Sequence, residues 1–318
     1  MAEKFAKPVL SFSEHIELLK ARGLKFEDET RAKLALRQHG YFRLSGYWLV
    51  MLEKDPELRR QHRFKQGSSF GRAFRLYEFD RRLRILSFEA LEKIEIGVRT
   101  CISNTLAIST RNPHWFLDSS NFNPRFDHTG FLKELEAEAG NTAAYCGKKG
   151  RLIRHGARKR AIFIDSYHQN YNEPSLPPTW MLSEVLTLGR WSKIYQGLVT
   201  ANQKLISTHM GPKWDVLSNW LEAVTILRNA CAHHSRIWNR PFSPVSLQAT
   251  VGEGVVDPSR FGGQATVVLA LLRRFTERSH WIHRVRKLME SYPEADPQAM
   301  GFMPGWQNHE FWKFESEE

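Results

Sequence analysis

Apolar residues recur at roughly helical spacing over most of the 318-residue chain, and the elements this pattern predicts are α-helices. Ser11 and Glu14 stand at capping-box spacing ahead of Ile16, Leu18 and Leu19, and Gly23 marks where this first short helix stops. A second helix is expected from about Glu27, through Leu34 and Leu36, to Gly40. The aromatic run YFRLSGYW (Tyr41 to Trp48) follows and reads as core. From Ser69 to about Ile108, Phe74, Leu76, Tyr77, Phe79, Leu83, Leu86, Leu91, Ile94 and Val98 fall along a helical pattern with no proline between them. This predicts the longest helix, with a kink at Gly97. Helical periodicity returns from Trp180 to Leu198 and from Trp214 to about His233, where Trp220, Val224 and Leu227 share a face. Beyond a Gly- and Pro-containing loop (Pro241 to Phe261), ATVVLALLRRF and WIHRVRKLMESY predict two more helices before an aromatic tail.

Between Arg111 and Pro178 the pattern weakens, and Asn112-Pro113, Asn123-Pro124, Gly140-Asn141 and Pro177-Pro178 punctuate it. The chain therefore reads as all-α in one composite domain. Residues 1–110 form an N-terminal helical half, 111–178 a basic irregular insertion, 179–245 a further set of helices and 246–318 a C-terminal helical region. Within the insertion, KKGRLIRHGARKR places seven cations in thirteen residues: Lys148, Lys149, Arg151, Arg154, Arg158, Lys159 and Arg160. Glycines spaced through it suit a segment that follows a phosphate backbone, and a solvated basic loop without a ligand is the other reading.

The net charge of +12 extends that choice to the whole chain, because such an excess attracts polyanions: contact with nucleic acid phosphates, RNA above all, is the first reading and a merely basic protein the other. Cys101, Cys146 and Cys231 are odd in number and lack ligand spacing, which argues against disulfides and structural zinc and for a reducing compartment. The first residues lack the apolar core of a signal peptide and no stretch has the length of a membrane span, so the expected location is cytoplasmic. No HExxH, GxxxxGK[ST], GxSxG or helix-opening GxGxxG occurs, and neither metal nor cofactor is expected.

Candidate chemistry concentrates in RNACAHHSRIWNR, Arg228 to Arg240, where an amphipathic helix ends. Cutting RNA without a metal needs a group of near-neutral pKa to move protons and a cation to stabilise the pentacoordinate phosphate. His233 and Arg228 are those residue types. Helical geometry puts Asn229 and His233 on one face and offsets Arg228 from His233 by about 140°. The bare spacing recurs in Arg274 with His280 and in Arg278 with His283, but only the first pair has the polar Asn229, small Ala230 and Ala232, and the further His234 and Arg236 around it. His234 competes with His233 for the proton-transfer role, and Arg236 is a second candidate for holding phosphate. Alternatively, these cations cover free carbonyls at a helix end.

Five ordered blocks carry a resemblance to a known family: GYFRLSGYW (Gly40 to Trp48), EFDRRLRILSFEALEKIEIGVRT (Glu78 to Thr100), SLPPTWMLSEVLTLGRWSKIYQGL (Ser175 to Leu198), RNACAHHSRIWNR and AMGFMPGW (Ala299 to Trp306). The chain resembles Abi-type abortive infection proteins of the AbiD and AbiF group, which are similar to the HEPN superfamily of helical-bundle ribonucleases. The resemblance implies an HEPN-like helical bundle with additional N- and C-terminal helices. Arg228, Asn229 and His233 match the shared motif of arginine, an adjacent polar residue and a histidine. It also implies a metal-independent endoribonuclease of phage defence or toxin type, a homodimer that completes the site, and a small regulatory RNA as a possible second partner at the basic segment.

Asp80, Glu95 and Arg99 match the polar positions of the second block. Glu95 and Arg99, at i and i+4, form either a surface ion pair or a contact that orients His233. Glu184, flanked by apolar residues, is expected as a buried carboxylate needing Arg228 or His233 as partner. The rival expectations for function are a non-catalytic RNA-binding or assembly component of a defence or toxin–antitoxin system, and a structural helix terminus with activity in a partner protein.

Overall fold

Local chemistry sets the helix boundaries. Ser11 and Glu14 make the reciprocal capping box that starts α1 (Phe12–Ala21), and Gly23 beyond its end adopts φ 97°. Asp28 caps α2 (Glu29–His39), which stops at Gly40, and α3 (Tyr41–Trp48) follows directly. The computed structural model describes residues 8–140, 162–252 and 254–313; among them are fourteen α-helices and no strand, an all-α fold. The cationic segment Lys148 to Arg160 lies outside the described residues.

After the short α4 (Pro56–Arg60), Ser69 caps α5 (Phe70–Thr110), whose 41 residues make it the longest helix. Gly97 does not interrupt it. A Cβ there would come within 2.4 Å of the Phe275 ring, so the missing side chain admits the neighbouring helix rather than ending this one. The weakly patterned region contains α6 (His128–Ala139) and α7 (Ile162–Asn170).

The stretch expected as one helix from Trp180 to Leu198 is two, α8 (Thr179–Val185) and α9 (Leu188–Gly197), because Thr187 turns and caps the second by accepting the Arg190 amide. Next come α10 (Thr200–Met210), α11 (Trp214–Ala232), the short α12 (Gln248–Val251), α13 (Phe261–Phe275) and α14 (Trp281–Glu290).

Helix α5 is the axis of the bundle and packs against α3, α8, α9, α10, α11, α13 and α14. Its buried Leu83, Leu91, Ile94 and Val98 meet one apolar cluster that extends from Ile16 to Trp312 and includes Val224 and Leu227 of α11 and Val268 and Leu271 of α13. Trp281 donates its ring N–H to the Leu86 carbonyl (2.9 Å), and Arg284 pairs with Glu89 (2.5 Å), which fixes α14 along α5. In the tail, Phe302, Trp306 and Trp312 pack on one another, with Arg286 over the Trp306 ring. No helix among the described residues is long and apolar enough to cross a membrane.

Candidate functional site

Helix α11 delivers the Arg228 to Arg240 segment to the surface beside α5 and α3. The His233 N–H still donates to the Asn229 carbonyl (2.9 Å), so helical register persists to that residue. His234 then takes φ +56°, the left-handed turn that ends a helix, and the chain leaves as an extended loop. Both histidines are exposed.

Contacts from segments distant in sequence hold this loop. Asp80 of α5, fully buried, accepts the amides of Ile237 (3.0 Å) and Trp238 (2.7 Å) on one carboxylate oxygen. Its other oxygen accepts the Tyr47 hydroxyl (2.6 Å) and the Arg84 guanidinium. Burial pushes the Asp80 carboxyl up from the ordinary carboxylate value, while the Arg84 charge, the Tyr47 hydroxyl and the two amides pull it down. The Arg84 charge and the two backbone amides are the contacts that favour its ionised form. Arg43 of α3 donates to the His234 carbonyl (2.6 Å), and Arg236 reaches back to the Gly46 carbonyl. Arg236 thus ties the loop to α3 through its Nη1.

Arg228 faces the other way, as its helical offset from His233 requires. Its Nε donates to Glu95 Oε2 (3.0 Å) and its Nη1 to Asn229 Oδ1 (3.4 Å). Glu95 is buried, and its second oxygen pairs with Arg99, which also donates to the Ser183 carbonyl (3.3 Å). One carboxylate thus separates two guanidinium groups. Burial lowers the Arg99 pKa from the usual arginine value; the Glu184 charge opposes that shift and the Arg228 charge adds to it.

Glu95 pairs with Arg99 at i,i+4 as spaced, but the pair is buried rather than on the surface, and the further partner of Glu95 is Arg228 rather than His233. Glu184 departs from expectation. It is exposed and acts on Arg99 through its charge, because the short α8 turns it outward although its sequence neighbours are apolar. Arg43, Tyr47 and Arg84 were missed in the sequence; they lie in blocks read there as core aromatics and a long amphipathic helix.

Cys231 lies within the segment, but burial pushes its thiol up to about 12, which makes it a core residue and not a nucleophile. Among the described residues no group of three or more His, Cys, Asp or Glu is placed to hold a metal ion.

Glu95→Ala is expected to lower stability by about 3 kcal/mol, because Arg99 and Arg228 would then face each other without the carboxylate between them. Urea unfolding followed by circular dichroism measures this, and an unchanged midpoint would mean the triad contributes nothing to the fold.

The protein-family model described as Abi-like protein matches residues 34–239, a span that holds Arg43, Asp80, Glu95, Arg228 and His233 alike. No curated protein and no solved structure matches the chain. With the family model covering well over half its length, the chain belongs to the Abi-like protein family.

Proposed function

We propose that this protein acts in abortive infection or as a toxin by cutting RNA without a metal, with Arg228 and His233 as its catalytic residues. The observation that carries the reading is the end of α11: an exposed histidine at the C-cap position, just before a loop fixed by Asp80, Arg43 and Arg236, and about one turn from an arginine preset by Glu95. Family membership supports a defence role, and the net charge of +12 supports a polyanionic substrate.

In this mechanism an imidazole takes the proton of a ribose 2′-hydroxyl. The 2′-oxygen bonds to the adjacent phosphorus, the bond from phosphorus to the 5′-oxygen breaks, and that oxygen receives a proton. The products are a 2′,3′-cyclic phosphate and a 5′-hydroxyl. Arg228 stabilises the extra charge on the phosphorane oxygens; Nε and Nη1 hold Glu95 and Asn229, and Nη2 has no partner among the described residues. Base and acid stand at opposite ends of an in-line displacement, so one His233 does not serve both in a single step. A second copy of the chain supplying its own His233 meets that need, which is the reason a homodimer belongs to this proposal.

The test is a defined RNA whose cut site has been mapped, incubated in EDTA with protein freed of bound nucleic acid. Replacing the ribose at the cut site by 2′-deoxyribose is expected to stop cleavage there, and the wild-type RNA is expected to yield cyclic phosphate ends. Binding without scission of either RNA would favour a non-catalytic RNA-binding component.

A further inference from the structure

A groove of about 400 Å³ lies between α9 and α11. From α9 it is lined by Arg190, Lys193 and Gln196, and from α11 by Glu222, Thr225, Ile226 and Asn229. Helices α9 and α11 approach closely beside it, since a Cβ on Gly189 would lie 3.3 Å from the Thr225 methyl. Glu222, Ile226, Asn229 and His233 repeat at i, i+4, i+7 and i+11, which at 3.6 residues per turn is one stripe of the helix. The register persists through His233, so the groove ends about 6 Å along the axis, one turn, from the candidate proton-transfer residue.

The lining is chemically specific. Arg190 is engaged by Glu134 and Glu138, which leaves Lys193 as the cation exposed to an occupant. Glu222, exposed on the opposite wall, is acceptor-only when ionised. The Asn229 carbonyl oxygen is held by Arg228, which turns its amide N–H groups toward donation. Ile226 supplies an apolar wall.

From this arrangement we infer that the groove is a nucleotide-binding site that seats the base next to the scissile phosphate and prefers guanine. The inference rests on the ribonuclease reading for its place beside a reacting phosphate. Guanine presents two neighbouring N–H donors on its Watson–Crick edge to a carboxylate and an acceptor oxygen beside them to an amide donor; uracil presents one donor. Lys193 neutralises a phosphate of the same strand.

Five-nucleotide 2′-O-methyl RNA strands, which lack the attacking hydroxyl, test this without depending on cleavage. Strands of uridine carrying one central guanosine, adenosine, cytidine or uridine are titrated by fluorescence anisotropy against wild-type, Glu222→Gln and Lys193→Ala protein. The wild type is expected to favour the guanosine strand over the uridine strand by about tenfold. Glu222→Gln is expected to abolish that preference. Lys193→Ala should weaken all four strands alike and reduce the slope of log affinity against log salt by about 0.7.

Equal binding of all strands by the wild type, or an unaltered preference in Glu222→Gln, overturns the inference. Both substituted residues are on the surface, and matching circular dichroism melts confirm that each variant is folded. Cut sites mapped in parallel separate the two claims. Wild-type cleavage whose sequence profile is unchanged in Glu222→Gln sinks the groove alone. Guanine-selective binding without cleavage by the wild type sinks the ribonuclease reading and leaves the groove standing.

Discussion

Asp80→Asn is expected to destabilise the protein by about 3–5 kcal/mol, although it changes almost no volume. The substitution keeps one oxygen for the Ile237 and Trp238 amides, but it removes the negative charge and turns an amide N–H₂ toward the Arg84 guanidinium, which can only donate. Arg84 is buried with Asp80 and would be left as an uncompensated charge. The loss is therefore electrostatic and not a cavity effect. Since the same carboxylate fixes the loop that follows His233, RNA cleavage should fall with the variant even under conditions where it remains folded. Urea unfolding of the purified protein gives the free energy. A midpoint equal to wild type would show that the loop holds its place without Asp80.

The largest effect on activity is expected at His233. General acid–base catalysis contributes about 10²–10⁴-fold, and His233→Ala should lower cleavage by at least the lower of these factors. The side chain is exposed, so this change should move stability by no more than about 0.5 kcal/mol. Arg228→Lys makes the complementary point. It retains the charge but not the fork that bonds Glu95 and Asn229 while presenting a further N–H edge, and a loss of about 10²-fold is expected. Loss of activity in His233→Ala together with a large drop in melting temperature would instead assign the residue a structural role at the helix end.

The legible parts of this fold were those set by short stretches of sequence. Ser11 with Glu14, Gly23, Gly40 and Ser69 marked their boundaries because a cap or a left-handed residue acts within one turn of itself. Helix α10 left little trace, since it buries Gln203 and Ser207 together with Ile206 and Met210, and periodicity counts only the apolar half. The break between α8 and α9 lay hidden inside a run that stays apolar across it, with Thr187 as the sole local signal.

For the site, Arg228 and His233 were readable as residue types, but what fixes them was not. Arg43 meets the carbonyl of a residue 191 positions away, and Asp80 meets an amide 158 positions away. Contacts to a distant backbone leave no pattern in the sequence of either partner. Glu184 failed for a related reason: apolar neighbours suggest burial, whereas the register of a seven-residue helix decides which face it occupies.

The central claim is that Arg228 and His233 make the end of α11 a metal-independent ribonuclease site. The most direct measurement is incubation of wild-type and His233→Ala protein, each freed of bound nucleic acid, with total cellular RNA in EDTA, followed by gel analysis and mapping of the new ends. Fragmentation by the wild type alone, with 2′,3′-cyclic phosphate termini, is expected. Intact RNA in both lanes, or equal fragmentation in both, would contradict it.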